Sequence, residues 1–265
     1  MAIADKTHLQ NLMQTPEAQD AISNNNEGML QRRAFRPPRC AVFEKPYSVL
    51  AENRDFRFEI DAEARRQLPR IMDNAVQVVV GRDDLDEADR RAFLRPRTVG
   101  IVFSGGPAPG GHNVIAGLFD ALQAANPENR LIGFLMGPDG IIESETIEIT
   151  AELVDQYRNI GGFTMIRTGR TKIDTPEKMA LSRQTCRDLG LDALVVVGGD
   201  DSNTNAAFLA HEMLDDGIQV IGVPKTIDGD VQVRDADGKV LCAISFGFHS
   251  AARAFSQDIS NLCND

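Results

Sequence analysis

From Thr98 onward the chain alternates two patterns. Short, nearly unbroken apolar runs (TVGIVF, LIGFLM, FTMI, ALVVVGG and QVIGVP) are separated by longer stretches with apolar residues at helical spacing. Continuous apolar runs of four to seven residues between turn signals mark strands buried on both faces, and their alternation with helices marks a parallel sheet. The pattern predicts helices over Asn113–Ala125, Glu148–Asn159, Pro176–Leu189 and Ser202–Asp215. The predicted fold class is therefore α/β: a doubly wound, mostly parallel sheet with helices on both faces. After the last of these strands, VQVRDADGKVLCAI places an Asp-Gly turn between two alternating segments, which predicts a β-hairpin, and a final helix follows from about Ser245.

Residues 1–95 read differently. They are polar at first and basic around RRAFRPPRC, then carry EIDAEARRQLPRIMDNA, which reads as one amphipathic helix. The expected organisation is a partly helical N-terminal extension over 1–95 followed by an α/β catalytic domain over 96–265. Arg32, Arg33, Arg36 and Arg39 are expected to form a solvated face of the extension.

Composition narrows the function. At 265 residues with 42% hydrophobic and 25% charged residues, the chain can bury a core. Its apolar runs are too short to span a bilayer and its first ten residues lack a secretory core, so a cytoplasmic protein without a membrane partner is expected. A formal charge of −11 argues against nucleic acid as a partner. Cys40, Cys186, Cys242 and Cys263 lack CxxC spacing and are expected to be reduced core thiols. His8, His112, His211 and His249 show no triad or metal spacing. An acidic chain still holds small phosphorylated ligands when backbone amides, a metal and a few placed cations make a local positive field.

Three loops at strand ends offer such a field. SGGPAPGGHN follows the first strand; it fits either a phosphate cradle or an ordinary glycine-rich turn, and lacks the Gly-Lys-Ser/Thr of a Walker loop. VVVGGDDSNTNAA ends a buried strand in two glycines and two carboxylates. Asp200 and Asp201 suit a Mg²⁺ ion beside a helix N-terminus, while the plainer reading is a helix cap made by Asp201 or Ser202. GVPKTIDGDV brings Lys225, Thr226, Asp228 and Asp230 together around Gly229. Phosphoryl transfer requires amides, a metal, a cation and a base near the attacking hydroxyl, and the three loops together contain all four.

The motifs GGPAPGGHN, GGDDSNTNA, PKTIDGD and ISFGFHSA, in this order and spacing, resemble the phosphofructokinases, and within them the long pyrophosphate-dependent branch. The resemblance covers about Arg97 to the C-terminus. It implies transfer of a phosphoryl group from pyrophosphate to the 1-hydroxyl of fructose 6-phosphate with Mg²⁺ as cofactor, in a homo-oligomer. Carried onto this chain, Gly106 offers its amide to the transferred group, Gly105 shapes the turn and Asp200 binds the metal. Arg170 lies near the transferred phosphate, with Lys172 a weaker counterpart. Asp228 is the general base, Thr226 and Ile227 contact substrate, and Asp230 supports them. ATP-using relatives usually have glycine at the positions of Asp201 and Lys225. A carboxylate at Asp201 would repel the α-phosphate of a nucleotide, and Lys225 would stabilise a departing phosphate. His249 stands where the family commonly has Asp. The chain stops before the Met-Gly-Arg segment that grips the sugar phosphate in the family, so it reads as the N-terminal portion of a longer protein. An ATP-dependent phosphofructokinase and a non-catalytic regulatory subunit are the alternatives.

Overall fold

A computed structural model describes residues 27–52, 60–72, 76–226, 231–234, 237–244 and 248–264. In the N-terminal part lie α1 (Glu27–Ala34), β1 (Tyr47–Glu52), α2 (Ala62–Gln67), β2 (Gln77–Arg82) and α3 (Glu87–Leu94). The α/β part follows with β3 (Thr98–Phe103), α4 (Gly111–Ala125), β4 (Arg130–Phe134), α5 (Pro138–Ile142), β5 (Thr146–Glu148), α6 (Ala151–Tyr157), α7 (Pro176–Asp188), β6 (Ala193–Gly198), α8 (Asp200–Met213) and β7 (Gln219–Pro224). The hairpin β8 (Val231–Arg234) and β9 (Val240–Ile244) and helix α9 (Phe248–Asn264) complete it.

The central sheet runs β5-β4-β3-β6-β7, with β3 parallel to β4 and β6, β6 parallel to β7, and the short β5 antiparallel at one edge. The inner strands β3, β4 and β6 are apolar almost throughout because both faces are covered, whereas the edge strands β5 and β7 are partly exposed. Val99, Ile101, Phe103, Val195 and Val197 point into one core layer with Ile115 of α4 and Val154 of α6. The alternate residues Val102, Leu194 and Val196 point into a second layer with Ile141 of α5, Cys186 of α7, and Leu209 and Met213 of α8. This period-two division is the physical content of a doubly wound fold. From β3 the chain goes first to β4 on one side and later to β6 on the other, so the order reverses between β3 and β6. The crevice beyond their carboxyl ends is where such folds bind ligands.

Caps account for several helix starts. Asp61 accepts from Glu63 N at 2.8 Å, Thr150 from Leu153 N and Thr175 from Lys178 N, each with its side-chain oxygen. Pro176 occupies the first turn of α7, where its missing N–H costs nothing.

The structure corrects four expectations. FTMI is not a strand, although Phe163, Met165 and Ile166 are buried. Gly161 and Gly162 have φ of +81° and +86° and Arg167 has +59°, so left-handed residues bracket the run and turn it out of the sheet; only the bridge Ser104 to Gly169 survives. The helix read across EIDAEARRQLPRIMDNA is confined to Ala62–Gln67, because Pro69 disfavours helical backbone at Leu68, which sits at φ −126°, ψ 53°; residues 59 and 73–75 lie outside the described residues. The extension also contains the antiparallel pair β1 and β2, with Tyr47 opposite Arg82 and Glu52 opposite Gln77, which helical reading did not foresee. Of the cysteines, Cys186 is the buried one, whereas Cys40 and Cys263 are exposed and the Cys242 side chain lies outside the description. Burial pushes the Cys186 thiol up to about 12, which keeps it protonated and unreactive.

The lead-in is tied to the α/β part by Arg36, which pairs with Asp155 of α6 at 3.2 Å, and by Asn159, whose amide donates to the Phe35 carbonyl at 2.7 Å. Arg158 in turn clamps α4 to the end of α6, donating in fork geometry to both oxygens of Asp120 at 2.7 and 2.9 Å.

Candidate functional site

The loops after β3, β6 and β7 meet at the reversal point. Ser104 N–H donates to Val197 O at 2.9 Å and Lys225 N–H donates to Gly198 O at 2.8 Å, so each loop is registered on the neighbouring strand end. Gly105 has φ +88°, and its N–H is committed to Gly169 O at 2.8 Å while its carbonyl accepts from the Thr168 hydroxyl. Gly105 therefore serves the turn. The N–H of Gly106 makes no hydrogen bond among the described residues and is open to an anion.

Two cations flank Gly106. A Cβ built there would stand 3.3 Å from Arg170 Nη2, and Lys225 Nζ donates to the Gly106 carbonyl. Lys225 is buried, at 8% exposure, with its ammonium 5.8 Å from the Phe163 ring centre and 3.7 Å from a Cβ built at Gly105. Phe163, stacked against Phe103 at 4.2 Å, is thus the apolar floor that places the ammonium. FTMI is buried without being a strand because Phe163, Met165 and Ile166 pack into the first core layer.

Arg170 is exposed and reaches the loop because Gly137 and Gly169 let two backbones touch. A Cβ at Gly137 would overlap Gly169 N, and one at Gly169 would overlap the Met136 carbonyl. Gly198 has the same function on the other side, where a Cβ would overlap the Ser202 side chain. The Ser202 hydroxyl instead donates to Ser104 Oγ at 2.8 Å in a buried contact that joins the first and second loops.

Asp200 and Asp201 occupy the first turn of α8 and are both exposed. The helix-cap reading fails: the N-cap is Gly199 and no side chain caps it. Asp201 pairs with Lys172 at 2.9 Å, a partnership the sequence did not disclose. Thr226 follows Lys225 and is half-buried. Ile227, Asp228 and Asp230 lie outside the described residues, as do the structure of His8 and the side chain of His249. No group of three or more His, Cys, Asp or Glu side chains that would hold a metal occurs among the described residues. Asp200, exposed in the first turn of α8 while Asp201 is taken by Lys172, nonetheless fits a divalent cation held through a single carboxylate together with water and substrate phosphates. A separate groove along α7 and α8, lined by Ile173, Met179, Arg183 and Phe208, includes none of these residues.

His112, unassigned from sequence, is the buried post behind the cradle. It lies in the first turn of α4 at 1% exposure, its Nε2 accepts from Met165 N–H at 3.1 Å, and its ring packs on Tyr157 at 4.8 Å. That bond implies the tautomer with hydrogen on Nδ1. Burial pushes its pKa down to about 4, against a backbone contact to Gly161 that raises it. The folded value lies below the ordinary 6.5, so the unfolded chain binds more protons between the two. Stability is complete above pH 6.5 and is lost as pH falls toward 4, by about 3 kcal/mol from this group. In urea unfolding at pH 7 and pH 4, the loss in His112→Gln, whose amide oxygen can accept the Met165 bond, should be smaller by about that amount. Equal losses in both proteins would contradict this.

The order of strands and the convergence at their ends define a doubly wound α/β domain with its ligand crevice at the β3/β6 reversal. More particularly, the chain belongs to the phosphofructokinase family, whose model, described as "Phosphofructokinase", matches residues 98–264. It is similar to the pyrophosphate–fructose 6-phosphate 1-phosphotransferase of Porphyromonas gingivalis, with 54% identity over 66% of this chain and 31% of that protein. The protein of the same name from Treponema pallidum is 53% identical over 63% of this chain and 28% of its own length. The beta subunit so named from Ricinus communis is 37% identical over 96% of this chain and 44% of its own length, a match that takes in the N-terminal extension. The chain therefore spans less than half the length of these curated relatives.

Proposed function

We propose that the chain forms the donor-binding, catalytic side of a phosphotransferase that moves a phosphoryl group from pyrophosphate to the 1-hydroxyl of fructose 6-phosphate, giving fructose 1,6-bisphosphate and phosphate. The observation that carries the reading is the pair of cations at Gly106, the buried Lys225 donating to its carbonyl and the exposed Arg170 beside it. The printed names of the relatives favour pyrophosphate as donor. In this reading Gly106 N–H and Arg170 hold the group in transfer, and Lys225 neutralises the phosphate that leaves when the bridging P–O bond breaks. Asp228 accepts the proton of the attacking hydroxyl as its oxygen bonds to phosphorus, Thr226 and Ile227 contact the substrate, and Asp230 supports them. Asp200 would hold Mg²⁺, which when bound supplies charge neutralisation on the pyrophosphate oxygens.

The same reading carries a cytoplasmic homo-oligomer working in glycolysis and in its reverse, since pyrophosphate transfer is reversible. No helix among the described residues is long and apolar enough to cross a membrane. The sugar-phosphate grip belongs to the remainder found in the longer relatives, so the test uses the full-length protein. Phosphorus NMR of fructose 6-phosphate, pyrophosphate and Mg²⁺ should show one new phosphomonoester at C1 and one inorganic phosphate for each pyrophosphate consumed. Pyrophosphate hydrolysis without a sugar product, or phosphorylation at another carbon, would overturn the reading.

A further inference from the structure

The segment after Arg170 is fastened along the start of α8. The Ile173 N–H donates to Asn205 Oδ1 at 3.1 Å, and Asn205 Nδ2 returns a bond to the Ile173 carbonyl at 3.4 Å. Lys178 holds the Lys172 carbonyl at 3.0 Å and Asp174 at 2.9 Å. Asn205 and Asp201 are four residues apart on α8, hence on one helix face. The clamp at Asn205 thus lays Lys172 beside Asp201, and their side chains meet at 2.9 Å. Asp201 holds the Lys172 ammonium above its ordinary range, with smaller pulls from Asp174 and Asp200. Both partners are tied closely to the cradle: Lys172 is two residues beyond Arg170, which reaches Gly106, and Asp201 precedes Ser202, which bonds Ser104.

With Asp200 offset by the divalent cation it would hold, Asp201 is the remaining negative charge beside a cleft that must admit a highly charged anion. A carboxylate beside a bound anionic donor repels it, and solvent screens part of the effect at so exposed a position. Lys172 removes most of that penalty for a small donor while leaving the Asp201 side chain in the way of a larger one.

We propose that Lys172 is a positioning residue for Asp201: it pins and neutralises this carboxylate, so that the site admits pyrophosphate yet keeps a nucleotide out. The proposal rests on the donor reading given above. Exposed as the pair is, at 55% and 74% of the side chains, its value lies in donor binding and hardly at all in stability.

The test is a double-mutant cycle in the full-length protein, read on steady-state kinetics with Mg²⁺. Lys172→Met should raise KM for pyrophosphate about tenfold, with kcat and KM for fructose 6-phosphate within about twofold. In an Asp201→Asn background the same substitution should change KM for pyrophosphate by no more than about twofold, and Lys172→Arg should recover most of the wild-type value. A full-sized Lys172→Met effect in the Asp201→Asn background would mean that Lys172 touches the donor directly, and no effect in either background would remove its role; both overturn the proposal. If ATP proves to be the working donor, the donor reading fails by itself. The cycle measured on ATP then still decides whether Lys172 acts through Asp201.

Discussion

Asp228→Asn is expected to lower kcat for fructose 6-phosphate phosphorylation by about 10²–10⁴-fold, the usual contribution of a positioned general base. PKTIDGD follows a strand end, and β7 delivers Lys225 to the Gly106 loop. Asp228 follows three residues after Lys225 in the sequence. Asparagine keeps the size and the hydrogen-bonding oxygen but cannot take the proton. KM for pyrophosphate should therefore change by less than about threefold, because the donor is held by other groups. An equal loss of donor affinity would mean that Asp228 serves binding, and a kcat within tenfold of wild type would remove it as the base.

Lys225→Met should reduce kcat/KM for pyrophosphate by about 10²–10³-fold, the range seen when one preorganised group stabilising transition-state charge is removed. Methionine retains the apolar stem over Phe163 but has no ammonium to place under Gly106. The Gly106 carbonyl then loses its donor in a partly buried setting, at a cost of about 1 kcal/mol in stability. Thermal unfolding followed beside the kinetics separates the two effects. A variant that keeps its activity but melts earlier would make Lys225 a loop anchor and nothing more.

Much of the fold was legible because its strands obey simple rules. β3, β4, β6 and β7 are short apolar runs whose alternate residues feed two opposite cores, and α4, α7 and α8 carry the expected periodicity between them. The misreadings came from backbone features that hydrophobic patterning does not encode. Phe163, Met165 and Ile166 are as buried as strand residues, yet left-handed backbone at Gly161, Gly162 and Arg167 turns the run into a floor for Lys225. A proline cut the helix before 69, and the three-residue edge strand β5 is too short to show a period.

In the candidate site, the strand-end loops were recognisable from their glycines and charges, since β-to-α junctions at a reversal point are where chemistry collects. Side-chain partners across loops were not. Nothing in sequence joins Lys172 to Asp201 or Ser104 to Ser202, which meet only because β3, β6 and the 168–173 segment converge. His112 was likewise passed over, because an isolated histidine after a glycine pair gives no sign of complete burial.

The Gly106 cradle, with Lys225 bonded to its carbonyl and Asp201 at the start of α8, is expected to select pyrophosphate. The most direct measurement of this selection is the ratio of kcat/KM for pyrophosphate to that for ATP in the full-length protein, at saturating fructose 6-phosphate and Mg²⁺. A preference for pyrophosphate of at least about a hundredfold is expected. Equal use of the two donors, or a preference for ATP, would contradict it.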